Sequence, residues 1–284
     1  MTRLHLAPRE ARTPRVAIFV ALLVSAAFLV GGSSSGNHQN SAPLAAKAPQ
    51  AKGVFKPLYV PVKNHDYAAI EAMMKKGKVL EELSRDLTKT IALPADITLS
   101  FDECGEVNAF YDPEKRQVHM CYELLEHFNE AFEPDAKNEA ELDAAVEGAA
   151  TFVFFHELGH ALVHVLDLPV TGKEEDAVDQ LSTLLLADGS DEGEQSVLTA
   201  ARWFLLEHQQ NDTDIEKLAF WDEHSLEAQR FYNIVCWLYG HDEKRYAGLV
   251  KTGLLPEERA ARCAGEFQQL EKSWSRLLEP HLKK

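Results

Sequence analysis

Residues 151–166 read TFVFFHELGHALVHVL, an apolar run interrupted by three histidines and one glutamate. From Phe152 to Val163 every residue other than His156, Glu157 and His160 is apolar or glycine. A helix that apolar on all sides belongs inside a protein, where two imidazoles and a carboxylate without partners would be costly to bury. The spacing suggests how that cost is met. His156 and His160 stand four residues apart, so a helix puts both rings on one face, where they can converge on one cation. Glu157 is rotated by about 100° from His156 and reaches a water on that cation without ligating it. His164 continues the same face but lies about 12 Å along the axis from His156, too far to share the ion. A metzincin-type third histidine would fall at position 166, which is Leu166.

A catalytic zinc takes three protein ligands and keeps one position open. The third ligand is sought in the next helical segment, KEEDAVDQLSTLLL, which follows the Pro169–Gly172 break. There Glu175 and Asp179 are four residues apart and share a face. This fits a ligand followed by a carboxylate that bonds a ligand histidine's N–H. Glu174 and Asp176 are substitutes for Glu175 in a shifted register.

Around this centre the chain divides simply. Before it, Lys56–Val62 and Ile97–Phe101 have the pattern of short strands, with a charged helix between them at 66–91. The segment between Cys104 and Cys121 reads as two strands about an Asp-Pro turn. From Tyr122 onward the pattern is nearly all helix, and no fixed-period repeat is visible. We expect a predominantly helical α+β fold, with a small N-terminal antiparallel sheet followed by a zincin-like helical domain. Trp203, Phe204, Phe231, Trp237 and Tyr239 are expected to pack between helices. His119, His127, His208 and His241 have no partner spacing and read as structural or exposed.

The N-terminus carries Arg3, Arg9, Arg12 and Arg15 against one acid, Glu10, ahead of the uncharged run VAIFVALLVSAAFLVGG at 16–32. Basic start, apolar middle and small-residue exit together read as an export signal over residues 1–32. The same run at 16–32 also suits an uncleaved membrane tether. Residues 33–54, rich in Ser, Ala, Pro and Lys, read as a linker to a folded domain at 55–284. The expected location is periplasmic or extracellular. Four cysteines in an exported chain imply disulfides. A hairpin about Pro113–Glu114 sets Cys104 opposite Cys121, leaving Cys236 and Cys263 to pair, and the CxxC spacings of a cysteine zinc site are missing. With 29 basic against 45 acidic residues, the net charge of −16 disfavours nucleic acid as a partner.

HExxH followed by a helix bearing ExxxD resembles the gluzincin, thermolysin-like metallopeptidases. Asn108-Ala109-Phe110-Tyr111 is similar to their edge-strand motif, which takes up the peptide substrate as an added strand. More closely, FFHELGHAL, GKEEDAVDQ and EHSLEAQRFYN together resemble a family of bacterial metallopeptidases catalogued as a domain of unknown function, over roughly residues 55–280. The resemblance implies one zinc ion bound by His156, His160 and Glu175, with Glu157 as general base and Asp179 orienting a ligand histidine. It implies that Asn108 and the Ala109 backbone hold a peptide or protein substrate. Gluzincins also stabilise the oxyanion with a histidine or tyrosine from a later segment, here His224 or Tyr232. His224 is chosen, and Tyr232 reads as a core aromatic. Arg230 is expected to make an ion pair with a neighbouring acid. The interval from His160 to Glu175 is shorter than in thermolysin, so part of that enzyme's linking loop is missing. A rival reading is a non-catalytic, zinc-stabilised peptide-binding protein of the cell envelope. A purely structural zinc, however, is closed by four protein ligands and has no use for glutamate at 157.

Overall fold

The computed structural model describes residues 52–211 and 218–283. The expected export signal and tether, and most of the expected linker, lie outside the described residues. At its start, the backbone N–H of Lys52 and of Gly53 both donate to the Leu93 carbonyl.

Four strands form one sheet in the order β1-β2-β4-β3: β1 (Phe55–Tyr59), β2 (Ile97–Asp102), β3 (Ala109–Asp112) and β4 (Gln117–Cys121). The sheet is mixed rather than antiparallel. β1 and β4 both run parallel to β2, and only the β3–β4 hairpin is antiparallel. The cause is the connection. Two helices, α1 (His65–Gly77) and α2 (Val79–Thr90), carry the chain back between β1 and β2, and a helical crossover of that length returns a parallel strand. After β2 the chain goes first to the outer position as β3. It then turns back into the gap as β4, which therefore runs with β2. The helix expected over 66–91 is divided at Lys78, whose left-handed backbone (φ 54°) caps α1. Beyond that break α2 buries Val79, Leu80, Leu83 and Leu87.

One face of the sheet presents Leu99, Phe101, Val118 and Met120, all buried. Behind it runs α4 (Glu139–Leu166), preceded by α3 (Tyr122–Phe132). Asn138 starts α4 by accepting a hydrogen bond from the Glu141 N–H, and Asp167 in the left-handed region (φ 53°) stops it. α4 is long and apolar enough to cross a membrane, but 83% of that window is buried inside the protein. It is the axle of the molecule. Against it pack α5 (Glu174–Leu186) and α6 (Asp191–Asn211); α7 (Glu227–His241) lies on α5 and α6, and α9 (Glu257–Leu278) on α7, with α8 (Ala247–Lys251) as a short link. Phe204, Phe231 and Trp237 are buried between these helices.

Both expected disulfides are present. Cys104–Cys121 ties the loop after β2 to the end of β4, and Cys236–Cys263 ties α7 to α9. In the chain-entropy account each loop closure stabilises by about 3 kcal/mol. Disulfides of this kind point to an oxidising compartment.

Candidate metal centre

The site is assembled where α4 and α5 cross most closely. Gly159 makes that approach possible, because a Cβ there would lie 2.8 Å from Val178 on α5. On either side of Gly159, the rings of His156 and His160 meet edge to face with centroids 5.0 Å apart. Their Nε2 atoms lie 3.1 and 3.3 Å from the two oxygens of Glu175, in the first turn of α5. One ligand atom from each of His156, His160 and Glu175 can be chosen so that all lie within 4.8 Å of one another. Two imidazole nitrogens and one carboxylate are the donor set of a three-ligand catalytic zinc, with room left for a fourth group.

The far side of each ring is also held. His156 Nδ1 is 2.8 Å from Asp179 Oδ1, and His160 Nδ1 is 2.8 Å from Glu174 Oε1. A carboxylate on Nδ1 keeps the proton there and leaves Nε2 free to bind a cation. Behind Asp179 stands Arg230 of α7, whose Nε and Nη2 each donate to it at 2.8 Å, and whose guanidinium sits 4.0 Å over the Phe204 ring. Arg230 does make the expected ion pair. Asp176, one residue on from Glu175, turns away and accepts a hydrogen bond from the Ser225 hydroxyl at 2.7 Å.

The charges follow from this packing. Burial opposes charge on Glu175, yet hydrogen bonds from His156, His160 and His224 prevail and hold its carboxyl far below the usual range. Burial likewise disfavours charged Asp179, and the Arg230 charge and the His156 hydrogen bond outweigh it, again lowering its pKa. For His160 burial disfavours the imidazolium, but Glu175 and Glu174 raise its pKa to about 9. Glu157 is only 7% exposed, and burial pushes its carboxyl up.

His224 comes from the loop ahead of α7. Its Nε2 lies 3.0 Å from Glu175 Oε2, and its Nδ1 lies 3.1 Å from Asp222 Oδ1. Lys173 secures this loop by donating to the carbonyls of Asp222 and His224. Tyr232 differs from its sequence reading. It is 40% exposed rather than in the core, because its position on α7 faces outward at the rim of a groove.

Asn108 and Ala109 sit at the sheet's open edge. The Asn108 carbonyl accepts from the Cys121 N–H, so by the two-residue alternation Ala109 and Tyr111 turn their own backbone groups to the unpaired side. Tyr111 also bonds His164 Nδ1 at 2.8 Å, fastening the edge strand to α4 one turn beyond His160. His164 thus connects the strand to the helix that carries His156 and His160.

Three participants carried little signal in the sequence. Glu174 was visible only as an alternative ligand, Arg230 only as a generic ion pair, and Lys173 not at all. Each acts through a contact between distant segments, which no local spacing records. Among the other histidines, His119 bonds Asp102, His127 bonds Glu207 and His241 bonds Glu194. A second set of potential ligands, Cys104, Cys121 and Glu123, is accounted for otherwise. Its cysteines are joined, and Glu123 accepts from the backbone N–H groups of Cys104 and Gly105.

No curated protein and no solved structure matches the chain. Residues 59–278, by contrast, match the model of a family described as "Putative metallopeptidase". That span contains the HExxH helix, the edge strand and every residue of the centre described above, and the chain belongs to this metallopeptidase family.

Proposed function

We propose that the protein is an exported zinc peptidase that cleaves peptide bonds with Glu157 as general base. The observation that carries this reading is the pair of backed imidazoles: two Nε2 atoms aimed at one carboxylate, each with its Nδ1 held by another. His156, His160 and Glu175 would hold the ion. When bound, zinc supplies Lewis acidity, polarising the scissile carbonyl and making a bound water more acidic.

The remaining steps belong to the chain. An extended substrate adds to the open side of β3, bonding the Ala109 backbone and the Asn108 side chain. Glu157 takes one proton from water as its oxygen bonds to the carbonyl carbon. The pKa of Glu157, raised by burial, suits it to hold that proton and deliver it to the amine nitrogen as the C–N bond breaks. His224 donates a hydrogen bond to the carbonyl oxygen as negative charge gathers there. Asp179 and Glu174 keep the two ligand rings in the required tautomer throughout. Export rests on the signal pattern over residues 1–32 and on the two disulfides.

Glu157→Gln is the direct test. The variant should retain about one zinc per chain by mass spectrometry after dialysis, yet cleave peptides at least ~100-fold more slowly. Cleavage at the parental rate would remove Glu157 from the mechanism. Full peptide affinity in the wild type without cleavage of any peptide would instead favour the envelope binding protein.

A further inference from the structure

Beside the metal centre, on the far side of α5, two open depressions of about 330 and 750 Å³ adjoin one another, sharing Asp176 and Asn233. Together they make a groove between α5, α7 and α9. Its head is the hydrogen bond from Ser225 to Asp176, formed by the residues directly after His224 and Glu175. The groove therefore begins at the residues next in the chain to two members of the site. On α7 it follows Gln229, Asn233 and Trp237, a single helical face about 12 Å long. An extended chain covers that distance with about four residues.

The lining fits a polypeptide backbone. Gln180, Gln229, Asn233 and Gln269 bring four carboxamides to the groove; Leu226 N–H, Arg259 and Ser273 engage Gln229 Oε1, Asn233 Oδ1 and Gln269 Nε2, and the opposite ends of these amides remain to meet a ligand. Its walls are fixed in place. The Cys236–Cys263 disulfide joins α7 to α9, and the helices cross so closely that a Cβ on Gly240 would lie 2.2 Å from the Cys263 carbonyl oxygen.

Gly265 supplies an independent observation. It lies inside α9, where glycine is about 1 kcal/mol less favourable than alanine. Close packing accounts for Gly240 but not for Gly265, since a Cβ there would meet nothing within 4 Å. Gly265 lines the larger depression, and its lack of a side chain leaves bare helix backbone open to a ligand.

We infer that this groove holds the substrate polypeptide beyond the cleaved bond, so that the enzyme acts on oligopeptides and extended protein segments rather than on dipeptides. The inference rests on the peptidase reading and names its substrate class. The test uses the full chain loaded with zinc, and peptides lengthened one residue at a time on either side of one cleaved bond. For wild type, kcat/KM should rise about tenfold over roughly four added residues on one side and then level off. Gly265→Trp fills the groove, and should abolish that rise while turning over the shortest cleaved peptide at the wild-type rate. Gly265→Ala should preserve the rise. Gln269→Trp, at an exposed position on the same helix, gives a second block independent of how Gly265→Trp folds.

Length-independent cleavage by wild type, or an undiminished rise in both tryptophan variants, overturns the groove assignment and leaves the peptidase standing. Failure of wild type to cleave any peptide overturns the peptidase reading first, and this inference with it. A dimer in sedimentation that Gly265→Trp dissolves would assign the groove to a second copy of the chain, and overturn the substrate assignment.

Discussion

Two glutamates, Glu194 and Glu175, are each set among basic side chains, and the bases differ in what they have left to offer. Glu194 on α6 accepts hydrogen bonds from the Tyr246 hydroxyl and from Arg245 Nε, and lies 3.4 Å from His241 Nε2. It is 2% exposed, and its partners converge on it without carboxylates of their own behind the histidine or the phenol. That cluster is closed: it ties α6 to the segment around α8. At Glu175 the imidazoles come from successive turns of one helix, and a second carboxylate stands behind each ligand ring. A ring held at Nδ1 by one anion and directed at another by Nε2 is arranged for a cation. The distinction between an ion cluster and a candidate metal centre lies in this outer layer, since both set a glutamate against histidine.

The largest expected effect separates the two clusters directly. His160→Ala should lower retained zinc from about one per chain to near none, and abolish peptide cleavage, with stoichiometry read by mass spectrometry. Glu194→Gln should keep the zinc yet lower Tm by a few degrees, because the Tyr246 hydroxyl, Arg245 and His241 lose a buried anionic partner while Arg245 keeps its contact with Asp191. If Glu194→Gln lost its metal while remaining folded, the two clusters would not be separable as described.

A smaller effect probes the outer layer. Asp179→Asn preserves shape but removes the charge that fixes the His156 tautomer, and zinc affinity should fall by about 10–100-fold in a competition titration with a chelator. An unchanged Kd would show that the ring is held well enough by packing alone.

The smallest effect concerns a third carboxylate, Glu147, on α4 upstream of the metal ligands. Its Oε1 is buried without a hydrogen-bond partner, and burial, helped by Asp143, raises its pKa to about 7. This site has neither cation nor base. A carboxyl whose folded pKa is raised favours folding below its unfolded pKa of about 4.5, and that advantage is lost as pH rises through about 7. Glu147→Gln should therefore raise Tm at pH 8 by a few degrees and leave it unchanged at pH 4. An equal gain at both pH values would mean that charge on Glu147 is not the cause.

The sequence exposed some of this architecture and hid the rest for identifiable reasons. The metal helix was legible because two histidines and a glutamate in an otherwise apolar run are a local contradiction that only a partner resolves. The cysteine pairs were legible because a short hairpin limits which sulfurs can meet. The parallel sense of β4 was not, since it depends on where β3 is laid down, and strand periodicity is blind to order within a sheet. The break at Lys78 was equally hidden, because lysine gives no sign that it will adopt a left-handed backbone. Arg230 shows the limit most clearly. Its pairing with Asp179 joins residues 51 apart, and nothing near either one in the chain foretells it.

Gly159 has a consequence for the proposed metal centre. The hinge of contact between α4 and α5 is a hydrogen atom against Val178, with His156 and His160 on one helix and Glu175 on the other. The bare position between the histidines thus acts as a spacer of minimum thickness. Any side chain there would wedge the two helices apart and carry Glu175 away from both rings. Zinc–oxygen bonds are only about 2.0–2.2 Å long, whereas calcium tolerates about 2.3–2.6 Å. On the proposed zinc reading, a residue that touches no ion would hold the three ligands close enough for bonds of that length.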